Sequence, residues 1–373
     1  MKKTVIGTLA ILIVAHLLLA GGVRLFKGTK QVEGAQTTAQ PVQELPPPDP
    51  TNAKELLERF TLTVDTALSS FIIKTETTED WDISFSGEYE HHSPQHNGRQ
   101  RKYELAELRG DWATQRGKRI REPWGGSDHP TRADRGYMSF VYDGARYWTY
   151  SRHPEGPRRD RMFYRDDVTK QFPPGWPLGP LETLCGRGFS PGRAFGYLEG
   201  DDERVDTILT RATSISVRDE LETVHGVGCH VIDATTNRGE YTLWLDPEHG
   251  YNIAKAAVFR KGGDDWHYKM NVPEGCGLTP TVDNVRFEQF DGVWIPVEGT
   301  LGDIRNFDNG DYGKLIKHYK VLEFVRNPDH EALGSFLPDD IREGAIVHFC
   351  DIDAKGPQHR WKNGKPVKDP TAD

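Results

Sequence analysis

The chain has 373 residues, 36% of them hydrophobic and 10% aromatic, and its formal net charge is −9. The length permits one large domain or two ordinary ones, and nine Trp and sixteen Phe supply bulk for a core. The acidic balance argues against a nucleic-acid binder, which needs a basic face to neutralise phosphates.

Residues 1–26 are a distinct material. Lys2 and Lys3 precede an apolar run from Thr4 to Phe26, interrupted by His16 and Arg24. The run is about long enough to span a bilayer, so an uncleaved signal anchor is expected. Small residues in "LAGG" leave cleavage after Ala20 or Gly22 as the alternative. Both readings put the remainder outside the cytoplasm, because positive charge stays inside. Residues 27–50 include "GAQTTAQPVQELPPPDP", a linker whose polar residues and prolines cannot pack a core.

"DPTNAKELLERFTLTVDTALSSF" predicts an amphipathic helix from 53 to 71, capped by Thr51 or Asn52. Ala53, Leu57, Phe60, Val64, Ala67, Leu68 and Phe71 fall on one side at helical spacing. From there the pattern becomes that of strands. "FIIKTETTEDWDISFSGEYE" and "RKYELAELRGDWATQRG" read as neighbours. "YMSFVYDGARYWTYSR" reads as a hairpin with a two-residue turn at Asp143-Gly144, which sets Tyr142 opposite Ala145 and Phe140 opposite Tyr147.

Residues 152–204 break the pattern with Pro and Gly, and short helices are expected at 181–184 and 193–198. An insertion of this kind is either a flap over a site or a decorated surface loop. Its Arg-rich "GPRRDRMFYRDD" mixes both signs, as a solvated loop does, or contacts anionic head groups. Strands resume from about 205 as an antiparallel meander, with Asp291-Gly292 as a second two-residue turn. Residues 328–373 form a small β extension, with Asn363-Gly364 turning its last hairpin; it packs on the main sheet or stands as a module.

Chemistry-bearing clusters are few. In "WLDPEHGYN" Asp246, Glu248 and His249 suggest proton transfer, yet each residue type also suits a turn. Asp246 accepts backbone N–H bonds, Pro247 presets φ, and Gly250 supplies a left-handed position. On that reading Glu248 and His249 face solvent. In "HGVGCH" a strand would send Cys229 and His230 to opposite faces, against a shared metal. "HHSPQH", with His91, His92 and His96, reads as a polar loop. Nucleophile-elbow, zinc-protease, dinucleotide and P-loop motifs are absent, so no catalytic residue, metal or cofactor is expected. Cys185, Cys229, Cys276 and Cys350 lie in no C-x-x-C; two disulfides or free buried thiols both remain open.

The order of these elements resembles the LolA-like superfamily of envelope proteins, in its long planctomycete-type members. The resemblance rests on the export segment and linker, the helix running into "SSFIIKTETTEDWDISFSGEYE", then "YDGARYWTY", "EYTLWLDPEHGYNIAKAAVFR" and "DGVWIPVEGTL", and on the tail "GAIVHFCD…HRWKNGK". It covers roughly 52–326 and is patchy through 152–204. It implies a mainly β (α+β) fold over 51–327: a half-open antiparallel β-barrel with lid helices. The implied function is non-catalytic binding of lipid or lipoprotein acyl chains in an apolar concave cavity. The sensing of envelope state through a protein partner is the alternative, and hydrolysis a third. The lids would be the 53–71 helix and the 180–204 segment. The cavity candidates are Phe60, Val64, Phe71, Phe140, Tyr147, Trp244 and Leu245, with one of Trp244 and Leu245 facing inward. The expected location is the cell envelope, anchored in the inner membrane through the N-terminal helix with the domain in the periplasm.

Overall fold

The computed structural model describes residues 48–86, 97–124, 136–153, 156–165, 189–266, 270–349 and 359–369. All of them fall within one unit, Gln43–Asp373. The N-terminal apolar run, most of the linker, the 181–184 helix, the "HHSPQH" loop, Cys185 and Cys350 lie outside the described residues.

Helix α1 spans Ala53–Ala67. It starts at Asn52, whose Oδ1 accepts from Lys54 N at 3.1 Å and Glu55 N at 3.4 Å, while Glu55 Oε1 accepts from Asn52 Nδ2 at 2.9 Å. The Asn52 cap satisfies two donors that a helix N-terminus otherwise leaves open, and Glu55 holds the capping amide. The helix ends earlier than its periodicity predicts. Ser70 already opens strand β1 (Ser70–Ser84), so Phe71 is a strand residue. It is nevertheless fully buried in the same core as Phe60 and Val64.

The fold is mainly β: among the described residues, 17 strands form one large, antiparallel-dominated, half-open sheet. Strand β1 lies between β2 (Gly98–Asp111) and β16 (Tyr312–Arg326), antiparallel to both. One wing runs from β2 through β3 (Arg116–Trp124), β4 (Met138–Tyr142), β5 (Tyr147–Ser151) and β6 (Arg161–Arg165). It continues with β17 (Ile346–Phe349), parallel to β6, then β18 (His359–Lys362) and β19 (Lys365–Lys368). The other wing runs from β16 through β15 (Val293–Phe307), β14 (Cys276–Phe290), β11 (Asn252–Phe259), β10 (Gly239–Asp246) and β9 (Val227–Thr236). Two short strands, β7 (Ser214–Val217) and β8 (Glu222–Val224), both pair with β9. A separate ribbon joins β12 (Asp265–Trp266) to β13 (Met270–Asn271).

Turn chemistry accounts for two hairpins as expected. Asp291 and Gly292 have φ of 47° and 79° with Phe290 opposite Val293, and Asn363 and Gly364 have 50° and 73° with Lys362 opposite Lys365. The third differs. Tyr142 pairs with Tyr147 and Phe140 with Thr149, so the loop is Asp143–Arg146 and the register moves by two. Asp143 decides this, because its Oδ1 accepts from Ala145 N at 3.1 Å and Arg146 N at 2.7 Å, closing an Asx-type turn one loop wider. Residues 205–209, read as part of a strand, form a short helix α2 (Val205–Leu209). The 152–204 stretch is not wholly an insertion either, since β6 lies within it and pairs on both edges.

The main core lies between the sheet and its cover, which is α1 together with residues 189–209. A second core, including Trp148, Tyr150, Met162, Val347 and Trp361, welds the C-terminal strands to the β4–β6 wing. The tail therefore packs on the main sheet through β6 and β17.

Candidate functional site

On the covered face of β10, alternation sends Tyr241, Leu243 and Leu245 into the main core. Leu245 is fully buried there beside Ile253, Phe60, Val64 and Phe71. Trp244 points to the other face, in a small cluster with Val224, Cys229, Val231 and Ala254. Its Nε1 donates to Glu222 Oε2 at 2.9 Å, and Lys255 Nζ stands 4.8 Å from its ring. Of that adjacent pair, Leu245 alone belongs to the covered face. Phe140 packs at the margin of the core, and half-buried Tyr147 belongs to none of the buried clusters.

The segment after 188 is buried rather than draped over the surface. Phe189, Phe195, Tyr197 and Leu198 all join the main core. In place of the expected 193–198 helix, Ser190–Arg193 form a 3₁₀ turn. Gly196, at φ 92°, brings this strap against α1: a Cβ there would sit 2.8 Å from Phe60 Cζ. Thr77 Oγ1 donates to Ser190 Oγ at 3.1 Å, and Arg193 Nη1 donates to Gly302 O at 3.0 Å. At its far end Arg204 pairs with Asp65 of α1 at 2.6 Å and with Asp206 at 2.6 Å, and Thr61 Oγ1 donates to Asp206 Oδ2 at 2.7 Å. Burial opposes ionisation of Asp206, yet Arg204 and Thr61 hold its carboxyl below the usual range.

Its middle is tied by a network that sequence reasoning missed. Arg260 and Asp201 pair at 2.6 Å with both side chains at 0% exposure. Arg260 Nη1 also donates to Glu199 O at 2.6 Å, its Nε to Arg238 O at 2.8 Å, and Tyr241 OH donates to Asp201 Oδ1 at 2.9 Å. Burial raises the Asp201 carboxyl, with Arg260 pulling the other way. The "GDDER" run at 200–204 was the available signal, but nothing local marks which acid goes inside.

The face beneath α1 and the strap is filled by the protein's own side chains. Three clefts of about 500, 630 and 530 Å³ lie elsewhere, and none of the three is lined by Phe60, Val64, Phe71 or Leu245.

The "WLDPEHGYN" turn has the predicted geometry. Asp246 Oδ1 accepts from Glu248 N at 2.9 Å and His249 N at 3.2 Å, and Gly250 has φ 73°. Thr63 of α1 donates to Gly250 O at 2.6 Å, so the turn also holds the cover. His249 does not face solvent as expected. Its Nδ1 lies 2.7 Å from Asp246 Oδ2, and its ring stacks on Phe287 at 5.0 Å and meets Trp294 edge-on at 4.6 Å. Glu248 is exposed.

An imidazole oriented by a carboxylate invites comparison with a nucleophile–base pair. The Cys229 thiol, however, is pushed up to about 12 by burial and by Asp246 and Glu248, and its Sγ donates to Val227 O at 3.7 Å. A thiolate is the reactive form, so this arrangement supplies no activated sulfur at neutral pH. Cys229 and Cys276 are free and buried. No group of three metal-ligating side chains converges among the described residues, and Cys229 and His230 do face opposite ways. No described helix is long and apolar enough to cross a membrane.

No family model and no curated protein matches this chain. A solved structure described as "Asymmetric conductivity of engineered proteins" is 7% identical, covering 67% of this chain and 99% of that one, with a TM-score of 0.19. So low a score carries no argument about this fold.

Proposed function

We propose that this protein is a non-catalytic envelope protein that takes up the acyl chain of a lipid or lipoprotein between its sheet and the cover of α1 and the strap. The supporting observation is the continuous apolar face under α1, which gathers Phe60, Val64, Phe71 and Leu245 in one core. The N-terminal apolar run would hold the domain at the inner membrane, on the periplasmic side.

Uptake requires displacement of the cover, and a magnitude sets the ligand. Lifting α1 exposes Leu56, Leu57, Phe60 and Val64. At about 1.5–3 kcal/mol each, the cost is on the order of 8 kcal/mol. An entering methylene returns about 0.8 kcal/mol, so a chain of roughly ten or more methylenes offsets the opening. Shorter chains do not.

A photoreactive hexadecanoyl probe, cross-linked to the full chain and located by peptide mass spectrometry, tests this. Labelling of α1, the strap and the β10–β11 pair is the expected result. Labelling confined to the N-terminal apolar run refutes it. The filled state of the face then favours a second reading, an interaction platform that binds an envelope protein partner through its outer surfaces.

A further inference from the structure

The Arg-rich stretch "GPRRDR" mixes signs in sequence, but the fold separates them. Asp160 turns inward and is fully buried. Its Oδ1 accepts from His153 N at 2.7 Å, and its Oδ2 accepts from Tyr150 OH at 2.7 Å and Arg342 Nε at 2.8 Å. Burial resists its ionisation, while Arg342, His153 and Tyr150 hold its carboxyl below the usual range. The arginines around it are left outside. Arg158, Arg159 and Arg161 are exposed.

Those three join Arg152 and His153 around a cleft of about 630 Å³ at the end of β4, β5, β6 and β17. None of the described lining residues is acidic. Arg158 and Arg161 form no ion pair with any described carboxylate. Arg152 is held in place: its guanidinium lies 3.6 Å from the Tyr137 ring centroid, and its Nη2 donates to Asp340 O at 3.1 Å. Met138 and Ile346 give the same cleft an apolar wall. All this sits on a chain of net charge −9, so the cleft is a local reversal of sign. A recess lined by one sign focuses the field more than a flat patch does.

We propose that this cleft binds a phosphoryl group, as carried by a phospholipid headgroup or by inorganic phosphate. Guanidinium forks match phosphate oxygens in pairs, and a phosphoryl group offers several arginines an acceptor each. A recessed site with an apolar wall suits a small amphipathic anion better than the surface of an acidic protein. The site is separate from the acyl-chain face, because none of its lining residues belongs to the core beneath α1.

The test is calorimetric titration of the full chain in neutral-detergent micelles with inorganic phosphate, dihexanoyl phosphatidic acid and a hexaglutamate peptide. Phosphate or the phosphatidic acid should bind, more weakly as salt rises. Equal affinity for the two identifies the phosphoryl group alone as ligand, and tighter lipid binding adds the apolar wall; both support the site. Arg158→Gln with Arg161→Gln should weaken binding by roughly tenfold or more, with thermal unfolding unchanged because neither side chain forms an ion pair with a described carboxylate. Arg286→Gln, on β14, should leave it unchanged. Absence of binding, affinity that survives the double substitution, or stronger binding of the peptide overturns the proposal. Hexanoyl chains are shorter than the roughly ten methylenes that open the acyl-chain face, so lipid binding that survives the double substitution counts against this cleft and leaves the acyl-chain reading to its own cross-linking test.

Discussion

Replacing Asp201 with Ala would strand the Arg260 guanidinium in the interior. That side chain is 0% exposed, and Asp201 is its carboxylate partner at 2.6 Å. The carbonyls of Glu199 and Arg238 would still accept from it, but neither carries charge. Removing one partner of a buried pair costs about 3–5 kcal/mol, because the remaining charge is uncompensated. Tyr241 OH also loses its acceptor. Against a total stability of about 5–15 kcal/mol, the loss should appear as a large drop in the urea midpoint by circular dichroism. Hydrogen exchange should speed first in residues 196–206, since the strap loses its central tie. The double change Asp201→Leu with Arg260→Met should recover much of the loss, as apolar replacement of buried pairs often does. A single-mutant loss below about 1 kcal/mol, with unchanged exchange in the strap, would refute the buried pairing and the docked strap together.

Three further outcomes follow from the same geometry. Leu245→Ala should cost about 2–5 kcal/mol in urea unfolding and reduce labelling by the acyl probe, whereas Trp244→Phe, on the other face, should leave labelling intact. Cys229 should resist iodoacetamide at pH 8 in the folded protein and react once unfolded in urea, read by intact mass, because burial keeps it a thiol. Asp206 has a depressed folded pKa against an ordinary 3.8, so its contribution is fully present above that value and is lost as pH falls through the folded pKa. Asp206→Asn should flatten the acid limb of a stability–pH curve below about pH 4.

Much of the fold was legible because its signals are local. Thr51 and Asn52 announce the helix start, Asp291-Gly292 and Asn363-Gly364 their turns, and Asp246-Pro247 with Gly250 the bend after β10. The errors share a cause in competition between local and tertiary demands. Asp143 had two possible turns, and its side-chain bonds to Ala145 and Arg146 selected the wider one. Phe71 fitted the helical stripe, but the pairing of β1 with β2 and β16 claimed its backbone. His249 looked like a hairpin tip residue, and packing against Phe287 and Trp294 drew it in.

The sequence by itself determined most of the strands, the Asp291-Gly292 and Asn363-Gly364 turns and the amphipathic stripe of α1, because backbone hydrogen bonding and side-chain period act over a few residues. It also showed that one of Trp244 and Leu245 must face inward, since neighbours on a strand point opposite ways. Only the tertiary structure decided that Leu245 is that residue and that the Pro/Gly-rich stretch sends a strap into the core. It also decided that Asp201 meets Arg260 across 59 positions and that Asp160 hides while its flanking arginines gather around a cleft. These outcomes depend on which distant groups share a low-dielectric interior, and burial of a charge is settled only when its partner arrives.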